Sequence, residues 1–282
     1  QWAMALYLDD NTMGFLTSKD LKSWEFQSKI KCFHECPELF ELPIDGNKDN
    51  KKWILYGGSG DYLVGSFDGR QFTPEAGPIP FQHGNCFYAS QTFSNVPVED
   101  GRRIQMAWGR VAMPGMPFNQ MMLFPLTLSL HTTEEGPRVF AEPIREIEKL
   151  HTRQWRWKNE ILKPAENLLS DVSGELFHIR AELQFHEAAE IGFVIRDIPV
   201  TYNVEKKELS CQGNKASMKP VNGKIQLELL VDRTSIEIFG NYGRVYMPVG
   251  MILADNSKTL EIFTKGGNAE AKSLEVFELS SI

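Results

Sequence analysis

Apolar residues recur in short runs, Trp2–Leu8, Trp53–Tyr56, Tyr62–Phe67, Phe87–Phe93, Ile104–Trp108 and Leu126–Leu130. Between them lie Asp9-Asp10-Asn11, Asp45-Gly46-Asn47, Asp68-Gly69, Glu99-Asp100-Gly101 and Glu134-Glu135-Gly136. Asp-Gly and Asn-Gly accept the positive φ of tight hairpin turns, so the pattern predicts many antiparallel strands. Helical spacing shows in one stretch, Pro143–Leu150, where Ile144, Ile147 and Leu150 recur after an N-terminal proline.

Further along, the alternation becomes cleaner. In "LFHIRAELQFH", "GKIQLELLVDRTSIEIFGN" and "TLEIFTKGG" followed by "KSLEVFELSSI", every second residue is apolar, with turns at Asn222-Gly223, Gly240-Asn241 and Gly266-Gly267. Half-buried strands of two packed sheets alternate in this way, so residues 166–282 are expected to form a β-sandwich. Residues 151–165, which begin "HTRQWRWKNEILKP", read as a Trp- and charge-rich linker. Residues 1–150 form the first domain. Its runs "WAMALYL", "WILYGG" and "IQMAWGR" keep a loose aromatic rhythm that suits propeller blades, although a second sandwich or a barrel gives similar patterns.

Composition narrows the partners. The 282 residues are 42% hydrophobic with a formal charge of −7, enough for a sizeable core. The acidic balance, with no basic blocks among aromatics, argues against nucleic acid, which needs clustered Lys and Arg. No run of about eighteen apolar residues is present to cross a bilayer, and no basic-then-apolar leader opens the chain. Cys32, Cys36, Cys86 and Cys211 lack the paired spacing of a zinc site and are expected as reduced thiols. Gly57-Gly58-Ser59-Gly60 lacks the Lys-Ser/Thr that a phosphate loop needs, so neither cofactor nor metal is expected. Aromatics at 11% suit sugar faces as well as packing.

The stretch "FHECPELFELP", residues 33–43, sets three glutamates among apolar residues. Read as extended chain, it places Phe33, Glu35 and Pro37 on one face and His34, Cys36 and Glu38 on the other. Glu38 and Glu41 read as solvated or structural. Without further information Glu35 would be a salt-bridged strand residue.

The segments "HECPELFELP", "KWILYGGSGDYLVGSFDGRQFTPE", "FYASQTFSNVP", "GRRIQMAWGR" and "VDRTSIEIFGNYG" resemble, in order, consecutive parts of glycoside hydrolase family 32, the invertases, levanases and inulinases. The resemblance implies an all-β fold, the later blades of a five-bladed β-propeller followed by a C-terminal β-sandwich. It also implies a retaining hydrolase of fructosyl linkages in fructans or sucrose. By the family's Glu-Cys motif, Glu35 is the general acid/base, with Phe33, Pro37, Leu39 and Phe40 as its apolar surround. The family's nucleophile lies in an Asn-Asp-Pro segment and its transition-state stabiliser in an Arg-Asp-Pro segment, neither of which occurs here. Arg196-Asp197-Ile198-Pro199 has an extra residue before proline and falls in the sandwich half. The resemblance thus implies that the first blade and part of the second lie in an N-terminal propeller segment preceding Gln1.

The resemblance further assigns Phe87, Tyr88 and Trp108 to the sugar pocket. Ser59 and Asp61 read as candidates for its rim, since glycines allow close backbone approach and an Asp accepts from vicinal hydroxyls, with turn chemistry the stronger explanation for both. His83 stands where relatives often carry an acidic or aromatic residue, which leaves its role open, and Leu126-Thr127 stands where relatives carry Arg-Glu. A catalytically silent fructan-binding protein on the same scaffold is the alternative, because the two aspartates are absent. An arabinan-cleaving enzyme on a related propeller is disfavoured by "VDRTSIEIFGNYG". A polymeric substrate would imply an extracellular or periplasmic setting.

Overall fold

Chain reversals fall where Asp, Asn and Gly stand, and they dictate the topology. The computed structural model describes residues 1–251 and 258–280, so the expected strand through Ile282 lies outside the described residues from Ser281 onward. Two units are distinguishable, Gln1–Gln82 with Phe87–Gly109 and Met122–Phe140, and His83–Cys86 with Arg110–Met121 and Ala141–Ile282.

In the first unit, β1 (Trp2–Tyr7), β2 (Thr12–Ser18) and β3 (Glu25–Lys31) make an antiparallel sheet. Asp10 and Asn11 take φ of 42° and 56° at its first reversal. Next come β4 (Glu38–Ile44), β5 (Asn47–Tyr56), β6 (Tyr62–Phe67) and β7 (Phe72–Ile79), an antiparallel meander. Asp45 and Gly46, at φ of 51° and 74°, close its first hairpin, as two left-handed residues must. The chain continues through β8 (Phe87–Thr92), β9 (Arg103–Gly109), the short β10 (Met121–Met122), β11 (Leu126–Thr133) and β12 (Gly136–Pro143). Strands β8, β9, β11 and β12 form a second meander, joined to the first through a single parallel bridge between Leu130 and Ile44. Met13, Phe15, Phe33, Leu55, Leu63 and Phe72 pack the first sheet against the β4–β7 meander. Successive antiparallel meanders sharing a small core are the form of propeller blades.

The second unit pairs β13 (His151–Leu162), β14 (Phe177–Phe185), β15 (Glu190–Ile195), β16 (Ile198–Asn203), β17 (Glu208–Cys211), β18 (Asn214–Ser217), β19 (Lys224–Val231), β20 (Ser235–Gly240), β21 (Val245–Gly250), β22 (Leu260–Lys265) and β23 (Ala269–Leu279) into two sheets. One runs β13-β23-β14-β19-β20-β21 and the other β18-β17-β16-β15-β22. Every second residue of β14, Phe177, Ile179, Ala181 and Leu183, enters the core, as do Ile225, Leu227, Leu229 and Val231 of β19. Facing them are Ile191, Phe193 and Ile195 of β15 and Leu260 and Ile262 of β22. The period of two is the pleat expressed as burial. Arg196 and Asp197, at φ of 48° and 66°, are the turn between β15 and β16, a structural role for a pair that superficially mimics a catalytic motif.

Two local expectations are corrected. The stretch read as a linker, 151–165, is largely strand β13, pairing antiparallel with β23 from His151↔Leu279 to Leu162↔Ala269. Trp155 and Trp157 pack on the sandwich core while Arg156 between them and Arg153 and Lys158 beside them are exposed. Because β13 pairs on one side only, its outer residues are solvated, and charge there blunts an open edge. The helical stretch is a 3₁₀ segment, Arg145–Leu150, entered from extended backbone at Ile144. So few residues between two strands cannot offset the cost of nucleating an α-helix.

Candidate active site

The Glu35 segment is not extended. Glu35 and Cys36 both adopt left-handed backbone, φ 52° and 44°, so the chain turns sharply just before β4 begins. This breaks the expected face alternation. Phe33 falls into the first unit's core and Phe40 is buried too, while the Glu35 side chain stays 46% exposed. The expected enclosure of the carboxylate by Phe33 and Phe40 is therefore absent.

Main-chain bonds hold the turn. The Gly58 N–H donates to the carbonyls of Glu35 at 2.9 Å and His34 at 3.2 Å, and the Ala89 N–H donates to the Gly58 carbonyl at 2.8 Å. The segment leading into β4, the β5–β6 turn and β8 are thereby stitched together. Glycines make the approach possible: a Cβ on Gly57 would collide with Phe33 Cβ, and one on Gly58 would lie 3.3 Å from Tyr88 Cζ. Ala89 is itself left-handed, φ 46°, and the β8–β9 register shifts between Tyr88 and Gln91. That bulge re-aims the strand at the site, as bulges do.

The consequence is one short bond. The Tyr88 hydroxyl donates to Glu35 Oε2 at 2.6 Å, the length of a charge-assisted hydrogen bond. Glu35 Oε1 lies 3.6 Å from His34 Nε2. His34 Nδ1 is in turn 3.1 Å from the Tyr7 hydroxyl, whose ring meets it edge-on at 5.4 Å. Trp108, paired with Tyr88 across β8–β9, presents its ring edge-on at 6.1 Å and remains 40% exposed, an aromatic surface beside the carboxylate. Burial, and then the charge on Glu35, push the Cys36 thiol upward and keep it protonated.

The structure brings Glu35, Tyr88 and Trp108 together but not Phe87. Phe87 is 2% exposed and packs on Phe81 at 5.7 Å, because neighbouring strand residues point to opposite faces and Tyr88 takes the open one. Ser59 and Asp61 belong to the β5–β6 turn, where the Asp61 carbonyl accepts from the Gly57 N–H at 3.0 Å and the Ser59 carbonyl from Gln82 at 3.5 Å. Burial raises the Asp61 carboxyl. Sequence reasoning missed Tyr7 and His34 as flanking partners; they stand 27 positions apart and no spacing links them. His83 donates its backbone N–H to the Tyr246 carbonyl at 2.9 Å, and burial lowers its imidazole. All four cysteines are free, and among the described residues no three His, Cys, Asp or Glu side chains gather as metal ligands. No helix among the described residues is long and apolar enough to cross a membrane.

Residues 1–143 match the family model "Glycosyl hydrolases family 32 N-terminal domain" and residues 146–278 match "Glycosyl hydrolases family 32 C terminal". The chain belongs to glycosyl hydrolase family 32. Among family 32 relatives, the levanase of Bacillus subtilis (strain 168) is 35% identical over 100% of this chain and 49% of its own length. The extracellular exo-inulinase inuE of Aspergillus niger is 23% identical over 95% of this chain and 60% of its own. The chain thus spans about half the length of these relatives. Among solved structures, exo-inulinase from Aspergillus awamori superposes with a TM-score of 0.81 at 20% identity, covering 96% of this chain and 63% of that one. The fructofuranosidase of Schwanniomyces occidentalis complexed with fructose gives 0.79 at 19%, covering 99% and 70%. These likenesses show the family 32 fold, propeller blades followed by a β-sandwich.

Proposed function

We propose that this chain carries the acid/base half of a retaining fructosyl hydrolase, with Glu35 as the general acid and base and with levan, inulin or sucrose as substrate class. The observation that carries the reading is the Tyr88 hydroxyl on Glu35 Oε2 at 2.6 Å. It fixes one carboxyl oxygen, while the other, Oε1, has only the His34 imidazole at 3.6 Å and no hydrogen bond of its own among the described residues. In the proton-donating step, Oε1 hands a proton to the glycosidic oxygen as the leaving group departs. A second carboxylate forms the fructosyl-enzyme, and Glu35, now ionised, takes a proton from the water that cleaves it. Trp108 supplies an apolar face for the sugar's C–H groups.

In this reading the second carboxylate and the stabilising aspartate lie on propeller segments of a longer protein. The levanase and exo-inulinase relatives support the substrate class. For these 282 residues alone we expect no turnover on fructans. Acid assistance is worth roughly 10²–10⁴-fold, well short of the roughly 10⁶-fold or more of a working enzyme.

The test is fructose release from levan, inulin and sucrose by the longer protein and its Glu35→Gln variant. Loss of about 10²–10⁴ in kcat with KM little changed is expected. A Glu35→Gln protein that keeps its rate would sink the reading. A longer protein that binds fructans without cleaving them would instead make the chain part of a silent fructan-binding protein.

A further inference from the structure

The bond between Tyr88 and Glu35 joins segments of two strands that share no ladder: β4 pairs with β5 and β11, and β8 pairs with β9. Something else must set their separation. Three residues beyond Glu35 stands Glu38, and four beyond Tyr88 stands Thr92. The Thr92 N–H donates to both Glu38 oxygens, at 2.9 and 3.1 Å, and the Thr92 hydroxyl donates to Oε1 in a very short bond. Arg103 of β9 completes the group. Its Nη1 donates to Thr92 Oγ1 at 3.3 Å, its guanidinium lies over the Phe40 ring at 5.1 Å, and its charge favours the Glu38 anion.

The surroundings argue that this carboxylate is more than a surface ornament. Burial pushes Glu38 upward despite those bonds, so its charge is held at a cost. Nearby, Tyr56, Ser90 and Gln105 are fully buried, and the Tyr56 Oη, Ser90 Oγ and Gln105 amide atoms gather around one another without a well-formed hydrogen bond. The Glu38 charge acts on that Tyr56 phenol. Ser90 lies within the bulge that aims Tyr88. A strand bulged at Ala89 and backed by poorly matched polar groups is weakly located by its own ladder; the Gly58 main-chain bonds hold it at Ala89, and the Glu38 clamp adds a side-chain anchor at Thr92.

We propose that Glu38 is a positioning residue that sets the hydrogen bond between Tyr88 and Glu35. Its role is distinct from proton transfer, because it touches Thr92 rather than the open side of Glu35. An acceptor-only carboxylate suits the position, since every group facing it from Thr92 is a donor. The proposal's catalytic consequence rests on the reading of Glu35 as the acid, whereas its geometric claim concerns this chain alone.

The geometric test uses the 282-residue chain labelled with ¹³Cζ-tyrosine, the Tyr88 resonance being assigned from Tyr88→Phe. In Glu38→Ala that resonance should move to the position it takes in Glu35→Ala. In Thr92→Val, which removes the hydroxyl bond and keeps those of the N–H, it should move part of the way, and in Glu38→Gln it should stay nearer the native position. A Tyr88 resonance unmoved in folded Glu38→Ala, or unmoved in Thr92→Val should the alanine variant not fold, overturns the proposal. In the longer protein, Glu38→Ala should lower kcat about ten- to a hundredfold with KM within about twofold, the signature of a misplaced acid. Unchanged kcat with a displaced Tyr88 resonance would overturn the catalytic consequence. Activity insensitive to Glu35→Gln would overturn the functional reading and leave the resonance test standing.

Discussion

The two units use buried polar groups in opposite ways. In the sandwich they are mostly matched: the Tyr202 hydroxyl donates to the Met218 carbonyl at 3.0 Å, Tyr246 to Glu237 at 2.6 Å, and His178 lies 2.6 Å from Glu228. Unmatched atoms in the second unit stand singly, at Gln120 and Ser235 among the described residues. In the first unit Tyr56, Ser90 and Gln105 are unmatched together, on strands that lead to the site. Backbone strain is placed differently as well. Left-handed residues of the sandwich sit at hairpin turns such as Arg196-Asp197 and Asn222-Gly223, and at Asn159 inside β13, whereas Glu35, Cys36 and Ala89 are left-handed at the candidate active site. Each such non-glycine residue costs on the order of 1 kcal/mol or more. One unit is built for cohesion, and the other gives up cohesion to aim side chains.

The strongest way to break this contrast is to remove a large sandwich side chain. Phe193 is fully buried between the sheets, so Phe193→Ala should cost about 3–5 kcal/mol. Amide exchange along β15 and β22 should speed up accordingly, with the Tyr88–Glu35 bond intact. If β15 protection survived, the sandwich core would not be the cohesive element described here. A smaller loss is expected from Gly57→Ala in the first unit. The added methyl would have to displace the Phe33 side chain, an overpacking cost of roughly 1–3 kcal/mol. Calorimetry gives the cost, and faster exchange at Gly58 and Ala89 would locate it at the stitched turn.

The contrast also explains what the sequence showed. Strand β14 is visible in "FHIRAELQF" because one face is core and the other is not. Strand β13 was hidden, since its outward charges mask the alternation that Trp155 and Trp157 keep. In the first unit, Glu35, Tyr88 and Trp108 were singled out through motif likeness. Their arrangement was not legible, because it depends on left-handed turns at Glu35 and Ala89 and on contacts across long separations. Glu38 and Thr92 are 54 positions apart. Phe87 is buried while Tyr88 reaches Glu35, and which of two adjacent aromatics takes the open face depends on the strand's orientation, which the motif does not announce.

A third prediction sharpens the matched side. His151 stacks on Phe277 at 4.0 Å and lies 3.0 Å from His178. Burial, then the neighbouring His178 and Arg180, push its imidazole down from 6.5 to about 4. A depressed histidine means that the unfolded chain takes up the proton first, so stability is full above about pH 6.5 and declines as pH falls toward 4. Allowing for solvent screening, His151 should account for about 1 kcal/mol across that window. Glu228 adds to the acid side: burial pushes it up, but the bonds and charges of His178 and Arg180 outweigh that and hold it low. Its contribution is present above the usual carboxylate range and is lost on further acidification. Denaturant melts of wild type and His151→Gln at several pH values should differ in slope between pH 6.5 and about 4, and parallel curves would show that His151 does not titrate with folding.

The smallest expected effect is the sharpest test of the comparison. Glu35→Gln removes a charge that is 46% exposed and keeps an oxygen able to accept the Tyr88 hydroxyl. No buried partner is left alone, and the left-handed backbone cost is common to both residues. The stability change should therefore stay within about 0.5 kcal/mol, the range of surface substitutions. A carboxylate at a strained turn contributes little to the fold that holds it, so on the proposed reading the longer protein should lose its activity while the melting curve barely moves. Equilibrium denaturation of the two chains decides the point. A loss above about 1 kcal/mol, comparable to a typical intramolecular hydrogen bond, would mean that the Tyr88–Glu35 bond holds the fold together, and the division between a cohesive sandwich and a strained first unit would have to be abandoned.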